Sequence, residues 1–552
     1  MCNIFNDLLT EKNGNRPGAL DALIIGGDVP GEYLGKDVRE KMRLTIDGYP
    51  ASLRFMQQYF MHDRNAEAAQ AELLRDGLPF VSLNGPYLCE FLESRGLHAG
   101  LVPLLSTGKE LLTQMLAQKP AVIVISTTFL PFAEHIDAIA AAVKKIAPQI
   151  PVIAGGIQVW KSFRHNCLLN EGIIGPNLRE AISEHNYFTS NRPSPVDLFL
   201  VNAAGEHTLA RIIESVKNGD DPAALPNVAV FRDGAWQINP VEPEPYREVK
   251  VDWHKWPQTA QRVYHPIQAG QGCGFECAFC DFRGLRAIRL RPAASIVAEI
   301  RTMPEDPDGF RRVYFTDDNL FTSRTRAREL CNALLKSGMR LRWRGMARIS
   351  IIDDEIAELM AQTGCIEVLL GIESGDPNIL QAMGKNVSPE QILDGLECLT
   401  RHGINTKSTF IVGFPGETAA TVRNTVELLN AYPTEGPALH RYLIFRFGVL
   451  PLSRIAMPDQ REKYGLEGYG YHWRHSTMTS EEAAVLQEQA HHQIKETLSP
   501  SYLLEVPELP GLDIEAIKRA AVLRNRLAAL RNEADENLKK PLWDKLAAVF
   551  GG

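Results

Sequence analysis

Two long regions of the chain alternate between short apolar runs and segments in which apolar residues recur at helical spacing. In the first region, AVIVIST (121–127), PVIAGG (151–156) and VDLFLVNAAGE (196–206) are apolar runs of strand length. Residues 136–146 carry apolar side chains at i, i+3, i+4 and i+7, which predicts a helix between two of these strands. Buried strands joined by helices are typical of a parallel sheet covered on both faces. An earlier run, DALIIGG (21–27), is predicted to be a buried strand ending in a glycine turn.

The second alternating region begins at residue 263 and predicts about six strand–helix units, an incomplete barrel by the logic of (β/α)₈ architecture. Its predicted strands are YHPIQAG (264–270), RVYFTDDN (312–319), RWRGMARI (342–349), IEVLLGIESG (366–375), KSTFIVGFPGET (407–418) and RYLIFRF (441–447). Ligands of parallel sheets bind beyond the carboxyl ends of the strands. We therefore expect the functional residues of both regions at those ends.

Composition narrows the class of protein. The chain has 552 residues, a formal charge of −8 and a pI near 6.0, which gives no support to a nucleic-acid-binding or anionic-membrane surface. The N-terminus lacks the pattern of a secretory signal, and the most apolar stretches fall far short of the ~20 residues that span a bilayer. Nine cysteines without such a signal favour a reducing compartment. We expect a soluble cytoplasmic protein.

A cysteine loop, GQGCGFECAFCDFRG (270–284), offers the clearest chemistry. Cys273, Cys277 and Cys280 could hold a zinc ion, form a disulfide or carry an iron–sulfur cluster. Structural zinc normally takes four ligands, and His265, the nearest fourth candidate, lies upstream on a predicted strand. A disulfide would leave one of the three thiols unpaired. Disulfides are also typical of oxidising compartments, whereas this sequence favours a reducing one. The position of the loop after a first barrel strand favours a [4Fe–4S] cluster with one iron left open.

The spacing C-x-x-x-C-x-aromatic-C after the first strand of a partial barrel resembles the radical S-adenosylmethionine (SAM) superfamily. In that family the open iron of the cluster binds the amino and carboxylate groups of SAM. An electron from the cluster cleaves SAM to methionine and a 5′-deoxyadenosyl radical, which abstracts hydrogen from the substrate. The resemblance implies that Cys273, Cys277 and Cys280 hold the cluster and that Phe279 lies against the adenine.

Three further strand ends are similar to motifs of the same family. VYFTDDNLF (313–321) looks like the motif near the methionine moiety of SAM, and FIVGFPGET (410–418) like the motif beside its adenine. GIESGDPNILQAMGK (371–385) is similar to a segment whose first residues face SAM. The SAM-binding residues that these motifs imply are Asp317, Asp318, Asn319, Glu373, Ser374 and Gly413. Without the resemblance, the aspartates would be read as a solvated turn and the glutamate as part of an ion pair at the barrel rim.

The upstream region is similar to cobalamin-binding domains that precede radical SAM barrels. The similarity rests on KPAVIVISTTFLPF (119–132), APQIPVIAGG (147–156) and VDLFLVNAAGEHTLARII (196–213). The cobalamin-binding residues it implies are Ser126, Thr127, Thr128, Gly155, Gly156 and Glu206, although the first three could instead be a helix N-cap cluster. The D-x-H-x-x-G signature, whose histidine ligates cobalt from below in many cobalamin proteins, is absent. We therefore expect no protein imidazole on the lower face of the cofactor.

These resemblances complete the expected architecture, which is α/β in fold class. The predicted order is an N-terminal extension with the first strand of the α/β domain (1–78), a Rossmann-like cobalamin-binding domain (79–237), a linker (238–262), a radical SAM partial (β/α)₆ TIM barrel (263–447) and a mostly helical C-terminal domain that caps the substrate (448–552). In the last of these, YGYHWRHSTMTSEEA (469–483) is rich in aromatic and histidine residues. Its His472, Trp473 and His475 either form a packed aromatic cap or line the substrate mouth.

The function implied is that of a cobalamin-dependent radical SAM enzyme with a [4Fe–4S] cluster, SAM and cobalamin as cofactors. We expect a methyltransferase acting on an unactivated carbon, or on phosphorus, of a small molecule or natural product. An oxidase, cyclase or ring-contracting enzyme without methyl transfer is the alternative, and a non-catalytic cobalamin or metal sensor a further one. The expected partners are a small-molecule substrate and an external electron donor of the flavodoxin or ferredoxin type. We expect a monomer that binds neither nucleic acid nor membrane.

Overall fold

The structure is a computed structural model in which the chain forms two compact units. The α/β unit consists of Met1–Pro30, Ser82–Thr259 and Ala456–Pro458, and the barrel unit of Gly31–Val81, Ala260–Ile455 and Asp459–Gly552. The structure describes residues 20–27, 44–47, 49–75, 82–103, 108–128, 130, 132–173, 186–189, 193–256, 264–282, 287–500, 508–509, 511–531, 533 and 535–551.

The strands of both units, in chain order, are β1 (Ala22–Ile25), β2 (Thr45–Ile46), β3 (Tyr49–Pro50), β4 (Ala99–Val102), β5 (Val122–Ser126), β6 (Val152–Gly155), β7 (Leu198–Leu200), β8 (Val228–Arg232), β9 (Ala235–Ile238), β10 (His265–Ile267), β11 (Gly270–Gln271), β12 (Arg289–Leu290), β13 (Arg311–Phe315), β14 (Leu341–Ala347), β15 (Cys365–Glu373), β16 (Asn405–Val412), β17 (His440–Arg446), β18 (Glu467–Tyr469), β19 (His472–His475), β20 (Met478–Thr479) and β21 (Ser499–Pro500).

The α-helices are α1 (Leu53–Met61), α2 (Ala66–Arg75), α3 (Asn84–Glu93), α4 (Lys109–Ala117), α5 (Ala133–Ile146), α6 (Ile157–Asn170), α7 (Glu206–Asn218), α8 (Ala293–Ile300), α9 (Arg324–Lys336), α10 (Asp354–Gln362), α11 (Pro377–Met383), α12 (Pro389–Arg401), α13 (Ala419–Asn430), α14 (Pro458–Tyr464), α15 (Ser480–Gln493), α16 (Ile514–Ala529) and α17 (Glu536–Phe550). In the part of the chain that the structure describes, no helix has the length and apolar character required to cross a membrane.

The α/β unit is built on a seven-stranded sheet in the order β4-β1-β5-β6-β7-β8-β9. The pairs among β4, β1, β5, β6 and β7 are parallel, and β8 and β9 extend the sheet antiparallel at one edge. The predicted early strand is confirmed as β1, which pairs Ala22 with Val122 of β5. All residues of β1 and β5 are buried, as the continuous apolar runs predicted. The carboxyl ends of β5 and β6 are therefore neighbours.

The barrel unit contains the six predicted parallel strands in sequence order, β10-β13-β14-β15-β16-β17, followed by a short parallel strand, β21. Helices α8, α9, α10, α12 and α13 fall between successive strands of this order. The register of β15 against β16 shifts between Gly371 and Glu373, a bulge that re-aims the end of β15. Since the strands run in one direction, their carboxyl ends share one edge of the sheet.

Buried ion pairs between side chains join the barrel strands below that edge. The Glu367 carboxylate of β15 accepts hydrogen bonds from the guanidinium groups of Arg344 on β14 and Arg441 on β17. Burial alone would raise the pKa of this carboxyl, but the two arginines lower it to about 2. All three side chains are almost completely buried, so the strands are joined by charge as well as by the backbone ladder.

Helices from distant parts of the sequence share one apolar core in the barrel unit. Phe55 and Phe60 of α1 belong to the same buried cluster as Leu527 of α16 and Leu546 of α17. The rings of Phe60 and Phe550 stack with centroids 5.7 Å apart. Accordingly, residues 31–81 group with the barrel unit, whereas β1 groups with the α/β unit.

The aromatic and histidine-rich segment forms a small antiparallel sheet, β18-β19-β20, before helix α15. Helix α15 begins with a capping box formed by Thr479 and Glu482. The Glu482 N–H donates to the Thr479 hydroxyl at 3.2 Å, and the Thr479 N–H donates to the Glu482 carboxylate at 2.8 Å.

Candidate functional site

The cysteine loop runs through residues 272–280 without helix or strand. Cys273, Cys277 and Cys280 are free thiols, and each is partly exposed. Burial raises the pKa of Cys273, and it raises that of Cys280 to about 11. These two thiols therefore favour the protonated form until a cation stabilises their thiolates.

The donor set of the loop distinguishes between a single ion and a cluster. Within the described ranges, no three His, Cys, Asp or Glu side chains are grouped so that one metal ion could bind all of them. A zinc ion needs every ligand within about 2.3 Å of one atom. An iron–sulfur cluster distributes its thiolates over several irons. Three accessible thiols on one loop therefore fit a cluster better than zinc.

The middle of the loop is fixed by the backbone on two sides. The Ala278 N–H donates to the Met383 carbonyl at 3.0 Å, and the Ala278 carbonyl accepts from the Ile455 N–H at 2.9 Å. Gly384 has φ +74°, and a Cβ there would lie 3.1 Å from the Glu276 carbonyl oxygen. The segment after α11 therefore approaches the cysteine loop closely, which requires glycine.

Arg348, directly after β14, contacts the cysteine loop, although it belongs to none of the recognised sequence motifs. Its Nη1 lies 3.4 Å from Cys277 Sγ, and its Nη2 donates to the Lys385 carbonyl at 2.7 Å. The guanidinium carbon lies 3.8 Å from the centroid of the Phe275 ring. This arginine thus joins the loop to the segment after α11.

Phe279, which the resemblance assigns to adenine, is partly exposed in the loop. The Lys385 ammonium lies 5.9 Å from its ring centroid and 3.5 Å from Glu373 Oε1. Lys385 is itself buried. It therefore links the cysteine loop to the end of β15.

The predicted SAM residues after β13 divide into two kinds. Asp317 is buried and accepts the Ala269 N–H at 2.9 Å, and burial raises its pKa to about 7. The buried Asn319 donates its amide to the Phe321 carbonyl at 3.0 Å. Asp318 is exposed. Asp317 and Asn319 thus shape the strand end, and Asp317 also fixes the backbone that enters the cysteine loop.

Glu373 ends β15 in a strained conformation, with φ +76°, and its side chain is buried. The Thr409 hydroxyl donates to Glu373 Oε2 at 3.3 Å, opposite the contact with Lys385. Burial raises the pKa of Glu373 despite the neighbouring ammonium. Ser374 is fully buried, and its hydroxyl accepts the Asp376 N–H at 3.1 Å. Strain of this kind is typical of functional sites.

Gly413, after β16, lies at the centre of a tight group. It has φ +97°, and a Cβ there would lie 2.6 Å from the Trp473 ring. Its N–H donates to Glu417 Oε2 at 2.5 Å, and its carbonyl accepts from His475 Nε2 at 3.1 Å. Burial raises the pKa of Glu417 to about 8, so this carboxyl is mostly neutral at pH 7. Glycine is thus required by the packing as well as by the backbone angle.

The three predicted substrate residues lie on opposite faces of β19. Trp473 and His475 are buried, and their rings stack with centroids 5.1 Å apart. The Trp473 indole N–H donates to the Phe447 carbonyl at 2.7 Å, and burial lowers the pKa of His475. His472 is exposed on the other face. Two of the residues therefore pack behind Gly413.

The residues predicted to bind cobalamin lie at the carboxyl edge of the α/β sheet. Ser126 pairs with Gly155 across β5 and β6. The backbone N–H and the hydroxyl of Thr127 both donate to the Gly155 carbonyl, at 2.9 and 3.0 Å. Gly156 has φ +119°, and a Cβ there would lie 3.1 Å from Thr127 Oγ1. Thr128 is exposed beyond this turn.

Glu206, the sixth of these residues, is the first residue of α7. The next two backbone N–H groups of the helix, those of His207 and Thr208, donate to the Glu244 carboxylate at 2.8 and 3.1 Å. Glu244 comes from the segment predicted as a linker, so this segment caps α7. The capping places a carboxylate at the helix N-terminus, where the helix dipole favours negative charge.

Sequence reasoning thus missed three residues that shape these sites, whereas Glu417 lies in a strand end (413–417) where functional residues were expected. Arg348 is the second-to-last residue of the predicted strand 342–349, and Lys385 is the last residue of a motif that had been recognised. Glu244 lies in a proline-rich run that gives no periodic signal. The first two could have been found by examining every polar residue at the strand ends.

Among known protein families, the Radical SAM superfamily matches residues 267–429 of this chain. An uncharacterized methyltransferase from Pyrococcus horikoshii is 24% identical over 241 residues, 41% of this chain and 51% of that protein. The anaerobic magnesium-protoporphyrin IX monomethyl ester cyclase from Rubrivivax gelatinosus is 27% identical, over 42% of this chain and 44% of that protein. The hopanoid C-2 methylase from Rhodopseudomonas palustris is 35% identical, over 28% and 31% respectively. The chain spans about half the length or less of these relatives.

Nearly the whole chain is similar in fold to a solved enzyme structure. The cobalamin-dependent S-adenosylmethionine radical enzyme OxsB, with aqua-cobalamin and S-adenosylmethionine bound, aligns over 99% of this chain and 76% of its own. The TM-score is 0.52 and the sequence identity 14%. At this identity the similarity concerns the fold.

Proposed function

Since residues 267–429 belong to the radical SAM superfamily, we propose that this chain is a cobalamin-dependent radical SAM methyltransferase. Its substrate is a small molecule that is methylated at an unactivated carbon or at phosphorus. When bound, the cluster supplies the electron that cleaves SAM, and cobalamin carries the methyl group. The proposal includes an external one-electron donor of the flavodoxin or ferredoxin type and a monomeric protein in the cytoplasm.

The observation that carries the proposal is the cysteine loop at the carboxyl edge of a parallel sheet. Cys273, Cys277 and Cys280 are accessible, and no single-ion site competes for them among the described residues. The loop is fixed at Ala278, so the thiols are presented by a stable backbone. We assign the three thiolates to three irons of a [4Fe–4S] cluster, with the fourth iron left for SAM.

The side chains around the loop suit the binding of a charged, partly apolar cofactor. Phe279 offers a ring face for the adenine, and Asp318 is an exposed carboxylate at the same edge. Glu373 is held between Lys385 and Thr409, which fixes its carboxyl close to the loop. We assign these residues to SAM and regard the buried Asp317, Asn319 and Ser374 as the groups that hold the strand ends in place.

For cobalamin, the proposal rests on the carboxyl edge of the α/β sheet. Thr127 and Gly156 form a narrow turn, held by the hydrogen bonds of Thr127 to the Gly155 carbonyl, beside which the exposed Thr128 is the side chain that could contact the polar edge of a large ligand. The OxsB structure contains cobalamin, and its fold resembles nearly all of this chain. Two relatives that are similar over part of the chain are named as an uncharacterized methyltransferase and as a methylase.

The test is anaerobic reconstitution of the purified protein with iron, sulfide and cobalamin, followed by addition of SAM and a low-potential reductant. We expect both 5′-deoxyadenosine and S-adenosylhomocysteine, because methyl transfer consumes SAM in two ways. Bound cluster and cobalamin with neither product would contradict the proposal and favour a sensor.

A second function is favoured by the similarity to the magnesium-protoporphyrin ester cyclase, whose name describes no methyl transfer. In this case the chain would perform an oxidation, cyclisation or ring contraction with the same cofactors. Deoxyadenosine without S-adenosylhomocysteine would favour this second function over methyl transfer.

A further inference from the structure

Arg348 is in direct contact with the cysteine loop, although nothing in the cysteine motif requires it. Its Nη1 lies 3.4 Å from the sulfur of Cys277, the middle cysteine of the three. This sulfur is that of a free cysteine and stands for the thiolate that would bind iron. We propose that Arg348 is a positioning residue that donates to the Cys277 thiolate and so raises the reduction potential of the bound cluster. The inference rests on the proposed function, because it needs the cluster.

The guanidinium is held by two further contacts. One face lies against the Phe275 ring, with the guanidinium carbon 3.8 Å from the ring centroid. The second terminal nitrogen donates to the Lys385 carbonyl at 2.7 Å. Stacking fixes the plane of the group, and the carbonyl fixes its rotation within that plane. A lysine ammonium could keep the charge but could not make both contacts.

The contact with Cys277 places a positive charge next to the bound cluster. Uptake of one electron makes the cluster more negative, so a neighbouring cation stabilises the reduced state more than the oxidised state. Hydrogen bonds to cluster sulfurs are among the factors that set the reduction potential of an iron–sulfur centre. A charge-assisted N–H donor is stronger than a neutral one. Removing Arg348 should therefore make reduction harder.

Arg348 also connects the cluster loop to a second part of the site. The Lys385 carbonyl that accepts from Arg348 belongs to the residue whose ammonium contacts Glu373. The neighbouring Met383 carbonyl accepts the Ala278 N–H of the cysteine loop. Arg348 thus fixes the position of the Cys277 thiolate relative to Lys385, the residue that contacts Glu373. Glu373 is the carboxylate predicted to face SAM.

The experiment compares the midpoint potential of the reconstituted cluster in wild type, Arg348→Gln and Arg348→Lys, measured by reductive titration monitored by electron paramagnetic resonance. Arg328→Gln is the matched control, because Arg328 lies on α9, is exposed and pairs with Glu355. For Arg348→Gln we expect the equilibrium constant for reduction to fall about tenfold, which is ~59 mV for a one-electron couple. Arg348→Lys should lie between Arg348→Gln and wild type, and the control should match wild type.

Equal potentials in wild type and Arg348→Gln, or an equal shift in the Arg328→Gln control, would overturn the inference. If Arg348→Gln takes up no cluster, Phe275→Leu decides, because it keeps the arginine but removes the ring beneath it. A more negative potential in Phe275→Leu supports the inference, and an unchanged potential contradicts it. Failure of the proposed function has a different signature, because the wild-type protein itself would then take up no cluster.

Discussion

The parallel strands of the two sheets end in chemically different groups. The carboxyl ends of the barrel strands carry three buried carboxyl groups whose pKa burial raises: Asp317, Glu373 and Glu417. The neighbouring ends of β5 and β6 in the α/β unit carry hydroxyl groups and glycines instead: Ser126, Thr127, Gly155 and Gly156. The barrel edge therefore offers ionisable side chains, whereas the turn after β5 and β6 offers hydroxyl and backbone groups. The location of a site therefore does not determine its chemistry.

The difference predicts how each edge responds to pH and to substitution. A buried carboxyl has different pKa values in the folded and the unfolded chain, so its ionisation alters the free energy of unfolding. Substitutions at the barrel edge should therefore change stability strongly and in a pH-dependent way. A turn of threonine and glycine contains no group that titrates near neutral pH, so changes in the α/β unit should be smaller and insensitive to pH.

The largest expected effect is at the cysteine loop. Cys277→Ala should abolish the charge-transfer absorbance of the reconstituted cluster, because the two remaining thiolates cannot hold it in place. Cys398→Ala is the matched control, since Cys398 is also a partly exposed free thiol but lies on α12. Zinc bound at full stoichiometry in place of iron would contradict the cluster assignment.

A large pH-dependent effect is expected at Glu417. The carboxyl ionises near pH 4.3 in an unfolded chain but near pH 8 in the folded protein. Stability should therefore fall as pH rises from about 4 to about 8, by up to ~1.4 kcal/mol for each pH unit. Glu417→Gln cannot ionise, so its thermal-unfolding midpoint should fall less than that of wild type between about pH 5 and about pH 8. Parallel pH profiles would show that the carboxyl is already ionised in the fold.

A moderate effect is expected at Gly156 in the α/β unit. Its φ of +119° strains any other residue, and a Cβ would press on the Thr127 hydroxyl at 3.1 Å. Gly156→Ala should destabilise the α/β unit by about 1–3 kcal/mol, measured by chemical denaturation, and weaken cobalamin binding. The loss should be the same at every pH. Gly172→Ala is a comparison at another positive φ, where a Cβ meets nothing within 4 Å.

The smallest effect is expected at Thr127. Thr127→Val keeps the shape but removes the hydroxyl that donates to the Gly155 carbonyl at 3.0 Å. The backbone N–H of the same residue still donates to that carbonyl, so the loss should be about 1 kcal/mol. A loss that varied with pH would break the proposed contrast between the two edges.

The alternation of apolar runs was sufficient to predict the parallel strands of both sheets, because continuous apolar strands are a local property of the sequence, but it did not predict the antiparallel strands β8 and β9. The strands around Val122–Ser126 and Cys365–Glu373 are where the pattern predicted them. The packing of α1 against α16 and α17 was not predictable, since the apolar face of an amphipathic helix does not specify which other helix will cover it. The grouping of residues 31–81 with the barrel unit follows from that packing.

In the candidate site, the cysteine spacing and the strand-end rule identified the region but not every residue. Arg348 is one of 59 lysines and arginines, and its importance depends on a stacking contact that only the folded loop creates. Trp473 and His475 were interpreted from composition, which cannot tell a packed face from an open one. The alternation of buried and exposed residues along β19 gives the distinction.

The shared core of α1, α16 and α17 has a consequence for how the chain is made. Phe60 leaves the ribosome roughly 450 residues before the helices that cover it, which amounts to tens of seconds of synthesis. Until then its apolar face must be shielded by something else, such as a chaperone or transient contacts of the nascent chain. The barrel unit therefore completes its fold late, even though part of it is synthesised early. Expression at lower temperature or with added chaperone should raise the soluble yield for this reason.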